Sequence, residues 1–180
     1  MKKVAVLAGA AAALLAVLVI GSYAGHEKTK LKADTMIGYL EAPPISTAAS
    51  GTFSATIDDE ANEIHYTLTY SGLEGDVRQS HIHFGQRGVS AGIAAWLCET
   101  TFNPSPTGPA TPDCPQSGTV TGTIGPGDVI GPGGQGIAAG EFGELVDALR
   151  AGRAYANVHS SKFPGGEIRG QINDSDQRDT

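Results

Sequence analysis

Two neighbouring segments of the chain alternate apolar and polar residues with period two, on either side of a short acidic stretch. From Thr52 to Ile57, Phe53, Ala55 and Ile57 share one face, with Thr52, Ser54 and Thr56 on the other. From Ile64 to Tyr70, Ile64, Tyr66, Leu68 and Tyr70 lie opposite His65, Thr67 and Thr69. Successive side chains point to opposite sides of a strand, so the pattern specifies two half-buried strands. Asp58-Asp59-Glu60-Ala61-Asn62 between them is a polar turn, and the pair reads as a β-hairpin. Further short strand candidates are Met36 to Leu40, Gln79 to Phe84, Ile93 to Leu97, Thr119 to Ile124, Ala154 to Val158 and Glu167 to Ile172. Short strands with turn signals between them predict an all-β fold, a Greek-key or immunoglobulin-like β-sandwich or barrel. One segment departs from period two. Phe142, Leu145, Val146 and Leu149 recur at helical spacing and Gly152 follows, which predicts one short amphipathic helix over about 141–151.

The start of the chain has a different character. Met1-Lys2-Lys3 precedes an unbroken run of apolar and small residues from Val4 to Ile20. Cations followed by such a run form an export signal, and Ser22-Tyr23-Ala24 offers small residues for a cut before Gly25. The run falls just short of the ~20 apolar residues that span a bilayer comfortably. It therefore reads as a signal peptide over residues 1–24 or as an uncleaved membrane anchor through residues 4–20. Residues 25–35, polar and cationic, read as a tether, residues 36–172 as the β domain, and 173–180 as a disordered tail.

Charge and cysteines fit an exterior location. The net charge is −7, and no lysine occurs between Lys32 and Lys162. Phosphate contacts need clustered Lys and Arg, so nucleic acid is excluded as a partner. Cys98 and Cys114 are the two cysteines, and in an exported chain an even pair reads as a disulfide. The Pro- and Thr-rich segment around 99–118 and the Gly-rich 125–140 read as surface connections.

Ser80-His81-Ile82-His83-Phe84 puts two imidazoles on one face of a strand, with Ile82 and Phe84 opposite. Their Cα atoms are ~6.5 Å apart, two strand rises, so both can reach one metal ion. His159 ends the strand from Ala154, on the face of Tyr155 and Asn157. If the two strands are neighbours, His81, His83 and His159 form a three-histidine site suited to copper or zinc. His65, on the polar side of its hairpin strand, is a candidate fourth ligand. Ser80 and Ser160 adjoin histidines in sequence but face away from them on a strand, and no Gly-x-Ser-x-Gly elbow exists, so a hydrolase is disfavoured.

The same residues carry a resemblance. Ala154-Tyr155-Ala156-Asn157-Val158-His159, followed by Phe163-Pro164-Gly165-Gly166-Glu167-Ile168-Arg169-Gly170-Gln171-Ile172, resembles the C-terminal signature of the CHRD domain, named for chordin. Ser80-His81-Ile82-His83 with Gly85 and Gly88 is similar to that family's central element, and Leu145 to Gly152 to its helix. Asn157, Gly165, Gly166, Glu167 and Arg169 are the structural signature: a Pro-Gly-Gly turn, then Glu167 and Arg169 placed to pair or to clamp a loop. The resemblance implies an extracellular or cell-surface binding or structural module with no defined catalytic site. Its partner would be an extracellular protein or an envelope component. The growth-factor-binding repeats that accompany the domain in chordin-like proteins are absent. A fainter similarity, of one H-x-H motif on a strand, links the chain to copper–zinc superoxide dismutase and keeps the metal-binding alternative open.

Overall fold

The computed structural model describes residues 28–107 and 111–174. The export segment, the cut after Ala24 and the tail beyond residue 174 lie outside the described residues. The elements in chain order are β1 (Thr29–Ile37), β2 (Ser50–Asp58), β3 (Glu63–Ser71), β4 (Val77–Phe84), β5 (Ile93–Cys98), β6 (Gly118–Ile124), α1 (Phe142–Arg150), β7 (Ala154–Ser160) and β8 (Ile168–Asp174). The eight strands form one antiparallel sheet in the order β5-β4-β7-β8-β1-β2-β3-β6. The sheet curls until its edge strands approach each other, and a bridge from Ala95 to Val129 helps to close the gap. Between sandwich and barrel, the fold is thus a nearly closed barrel with one short helix.

The apolar faces meet inside. Phe53, Ile57, Ile64 and Leu68 of the hairpin join Ile82, Leu97, Val158, Ile168 and Ile172 in a single core. Each fully buried aliphatic or aromatic side chain there contributes about 1.5–3 kcal/mol relative to exposure. The helix adds Leu145 and Leu149 and turns its remaining apolar residues, Phe142, Val146 and Ala148, to the same side. It stops where Gly152 takes φ 63°, a left-handed conformation that closes a helix end.

Three sequence expectations are corrected. Of the polar tether, Thr29 to Thr35 belongs to strand β1, where Leu31 and Ala33 are buried, as is Met36 beyond it. An irregularity in register between Ala33 and Met36 breaks the period-two pattern, and the exposed Lys30 and Lys32 mask what remains of it. Of the strand expected from Met36 to Leu40, only Met36 and Ile37 pair in the sheet, while Gly38–Leu40 is a 3₁₀ turn. The closing strand begins at Ile168 rather than Glu167 and runs past Ile172, pairing Asn173 with Lys32.

The disulfide between Cys98 and Cys114 is present. The loop it closes and the residue that follows it are bonded to the strands on both sides. The Tyr70 hydroxyl donates to the Pro115 carbonyl at 2.5 Å, and Thr100 Oγ1 donates to the Arg78 carbonyl at 2.8 Å.

Candidate metal centre

Strands β4 and β7 are neighbours, so the two histidine motifs meet. In their register His81 lies opposite Asn157, His83 opposite Tyr155, and His159 opposite Gln79. His81 and His83 project away from the core that Ile82 enters, as do Tyr155, Asn157 and His159 on β7. An outward face of a barrel ordinarily meets water. Here His81 is 0% exposed, and His83 and His159 are 6% exposed. Loops from 38–47, 85–92 and 161–167 lie over this face, and Trp96 of β5 packs edge-on against His81 with centroids 4.4 Å apart.

The hydrogen bonds fix the tautomers. His83 Nδ1 is 2.8 Å from the Ala91 carbonyl, and His159 Nδ1 is 2.9 Å from the Pro164 carbonyl. A carbonyl only accepts, so each Nδ1 carries the proton and each Nε2 presents a lone pair. His81 Nδ1 faces His159 Nε2 at 3.1 Å. Two nitrogens bound to one tetrahedral zinc at ~2.0–2.1 Å are about 3.3 Å apart, close to this spacing. One ligand atom from each of the three histidines lies within 4.8 Å of the others. His81 Nε2 and His83 Nε2 are buried without a hydrogen-bond partner. Leaving a buried polar atom unpaired costs about 1–3 kcal/mol, and His83 Nε2, whose proton is committed at Nδ1, is a free lone pair for an electrophile.

Burial also sets the charge state. It pulls the His81 pKa down to about 2, with His159 and His83 adding to the effect. His159 falls to about 4 by burial, although its bond to Pro164 works against the shift. His83 is lowered for the same first reason. All three imidazoles are neutral at pH 7, the form that binds metal.

Further groups brace the cluster. The Tyr155 ring stacks on His83, with planes 1° from parallel and centroids 4.8 Å apart. The Arg169 guanidinium covers Tyr155 from 4.2 Å. Arg169 Nε donates to Glu41 Oε2 at 2.7 Å and Nη1 to the Val89 carbonyl at 2.9 Å. Burial outweighs Arg169 in setting the Glu41 carboxyl, whose pKa is raised. Arg169 therefore pairs with Glu41 and not with Glu167. Glu167, just ahead of the strand, accepts instead from the Thr47 hydroxyl and the Glu74 backbone N–H. Gly166, at φ 125°, has no room for a Cβ, which would lie 2.6 Å from Glu41 Oε1. Gly165 has no such constraint.

His65 does not join the cluster. Its strand is three places from β8 across β1 and β2, and its ring bonds Thr123 Oγ1 at 3.0 Å. Ser80 spends its hydroxyl on the Asn157 carbonyl at 2.6 Å, and Ser160 Oγ accepts from the Phe163 N–H, so neither is aligned with an imidazole. Sequence reasoning missed Glu41 and Trp96. Glu41 sits in an irregular loop with no periodicity to mark it, whereas Trp96 was within reach, since β5 follows β4 and an antiparallel pairing sets it opposite His81.

Fold and site together define a class: an all-β barrel domain with histidines gathered in a second buried layer outside its core. The profile of the CHRD domain matches residues 33–172, and the chain belongs to the CHRD family. No curated protein and no solved structure matches the chain. CHRD domains are extracellular, in keeping with the disulfide.

Proposed function

We propose that this chain is an exported CHRD-domain protein, secreted or held at the cell surface by residues 4–20, whose domain binds one copper or zinc ion through His81, His83 and His159. The observation that carries the reading is the pair of committed tautomers. Metal-binding histidines characteristically donate their second ring nitrogen to a carbonyl or carboxylate, which orients the ring and keeps the lone pair free. His83 and His159 both do so, toward Ala91 and Pro164. Neutral imidazoles suit copper and zinc, and the family supplies the extracellular setting. No side chain in the cluster is arranged as a nucleophile with a base, so the role proposed is holding a metal or presenting a metal-stabilised surface to an envelope or extracellular partner.

Calorimetric titration of the purified protein with zinc and with copper tests the reading. One ion per chain is expected, with binding abolished in His83→Ala and in His159→Ala. Wild-type protein that takes up no stoichiometric metal overturns it.

A further inference from the structure

We propose that Asn157 is the fourth ligand of this centre, through Oδ1, and that the site is a closed four-coordinate one; the inference rests on the metal-binding reading above. Asn157 is 1% exposed and lies directly across from His81. Its Oδ1 stands 3.0 Å from His159 Nε2. His159 has already given its only proton to Pro164, so that nitrogen has a lone pair and no hydrogen. An amide oxygen likewise has only lone pairs. Two acceptors thus face each other at hydrogen-bond distance with no proton between them, an arrangement that a cation resolves.

The nitrogen end of the amide lies over Gly166. Asn157 Nδ2 and Glu41 Oε1 both pack on Gly166, at 2.9 Å and 2.6 Å from the position its Cβ would take. Glu41 Oε1 is buried and has no hydrogen-bond partner. The oxygen end of the amide is left toward the imidazoles. Glu41 in turn is held through its other oxygen by Arg169.

Oδ1 and His81 Nδ1 stand 3.0 Å and 3.1 Å from His159 Nε2, the separations of donors sharing one small ion. Three imidazole nitrogens and an amide oxygen complete a tetrahedral set from β4 and β7 alone. On binding, His81 moves its proton from Nδ1 to Nε2, which is buried and unpartnered. With four protein donors, no position remains for water or substrate. The ion is structural or stored rather than a catalyst, since catalytic zinc keeps a position open.

Zinc affinity of the full chain, with Co(II) as a spectroscopic probe, tests the assignment. Wild type is expected to give the intense visible bands of four-coordinate cobalt. Asn157→Leu is expected to weaken zinc at least tenfold and to alter those bands. Asn157→Asp, which keeps the oxygen and adds a charge, is expected to retain the bands and bind zinc more tightly. A purely structural asparagine predicts no tightening, because the new carboxylate would stand beside Glu41. Unchanged affinity and spectrum in Asn157→Leu, with His83→Ala still abolishing binding, overturns the ligand assignment and leaves the three-histidine reading standing. A wild type that binds neither ion removes both. Where Asn157→Leu does not fold, Asn157→Asp decides: zinc affinity equal to or below wild type overturns the proposal.

Discussion

On β3 the outward residues His65 and Thr69 are exposed and Thr67 is half-buried, while every inward residue from Ile64 to Tyr70 is buried. On β7 all seven residues from Ala154 to Ser160 are buried. Both are interior strands of one sheet, so the difference does not come from the sheet. It comes from what lies beyond. Over β4, β7 and β8 the loops bring Glu41, the Ala91 carbonyl and the Pro164 carbonyl down onto the outward face. The outward residues there are polar, so the result is a second buried layer held by hydrogen bonds and stacking in place of apolar packing. A barrel can thus use one half of its outer surface as solvent boundary and the other as the floor of a polar interior.

The largest predicted effect attacks the covered half at its ion pair. Arg169→Leu leaves Glu41 buried and unpaired, and breaking a buried pair in this way costs about 3–5 kcal/mol. Urea unfolding of the metal-free protein measures it. Restoration of part of the loss in the double variant with Glu41→Leu would show that the unpaired charge causes it. A loss below about 1 kcal/mol, the range of exposed pairs, would mean that this face behaves as open surface.

Next comes the seam between the halves. The disulfide loop is bonded to Arg78 on the covered half, and Pro115 just after it to Tyr70 on the open half. Closing a loop of this length constrains the unfolded chain, and Cys98→Ala with Cys114→Ala is expected to cost about 3 kcal/mol. The same unfolding titration checks it. The metal affinity of the doubly substituted protein should stay near wild type, because neither cysteine belongs to the histidine cluster.

The asymmetry between the halves explains what the sequence could disclose. The hairpin of β2 and β3 was fully legible, because water on one side and core on the other impose strict alternation. The alternation on β4 and β7 was equally regular and placed the three histidines on one side of their strands, but the covering loops carry no periodic signal. Nothing in the pattern distinguishes His65, which faces solvent, from His81, which does not. Burial by loops is a long-range event, set by Glu41 meeting Arg169 across 128 residues. The start of β1 was hidden for a local reason, the register irregularity after Ala33.

Acid should separate the halves a third way. His81 and His159 keep folded pKa values of about 2 and about 4, below the ~6.5 of an unfolded histidine. Between these values the unfolded chain binds more protons, so stability is complete above pH 6.5 and is lost as the pH falls. At pH 5 each such imidazole withdraws about 2 kcal/mol. Urea midpoints of metal-free protein at pH 7 and pH 5 measure the loss. His81→Gln should shrink it by about that amount. An unchanged pH dependence in the variant would mean that His81 is protonated in the folded state, contrary to its burial.

The smallest effect is expected on the open half, and its smallness is informative. Thr67 of β3 lies outward between Ser54 and Thr121 on the adjacent strands, half-buried by its neighbours alone. Thr67→Ala removes a hydroxyl and a methyl that no loop covers. Surface substitutions of this kind stay within about 0.5 kcal/mol, apart from a modest loss of strand preference. The equivalent truncation on the covered half, Tyr155→Ala, removes a ring packed between Arg169 and His83 and should cost several times more. Equal costs at the two positions would show that the outer layer over β7 is not packed as an interior. A ratio of five or more would place Tyr155 energetically in a core of its own, separate from the one that Ile82 and Val158 enter.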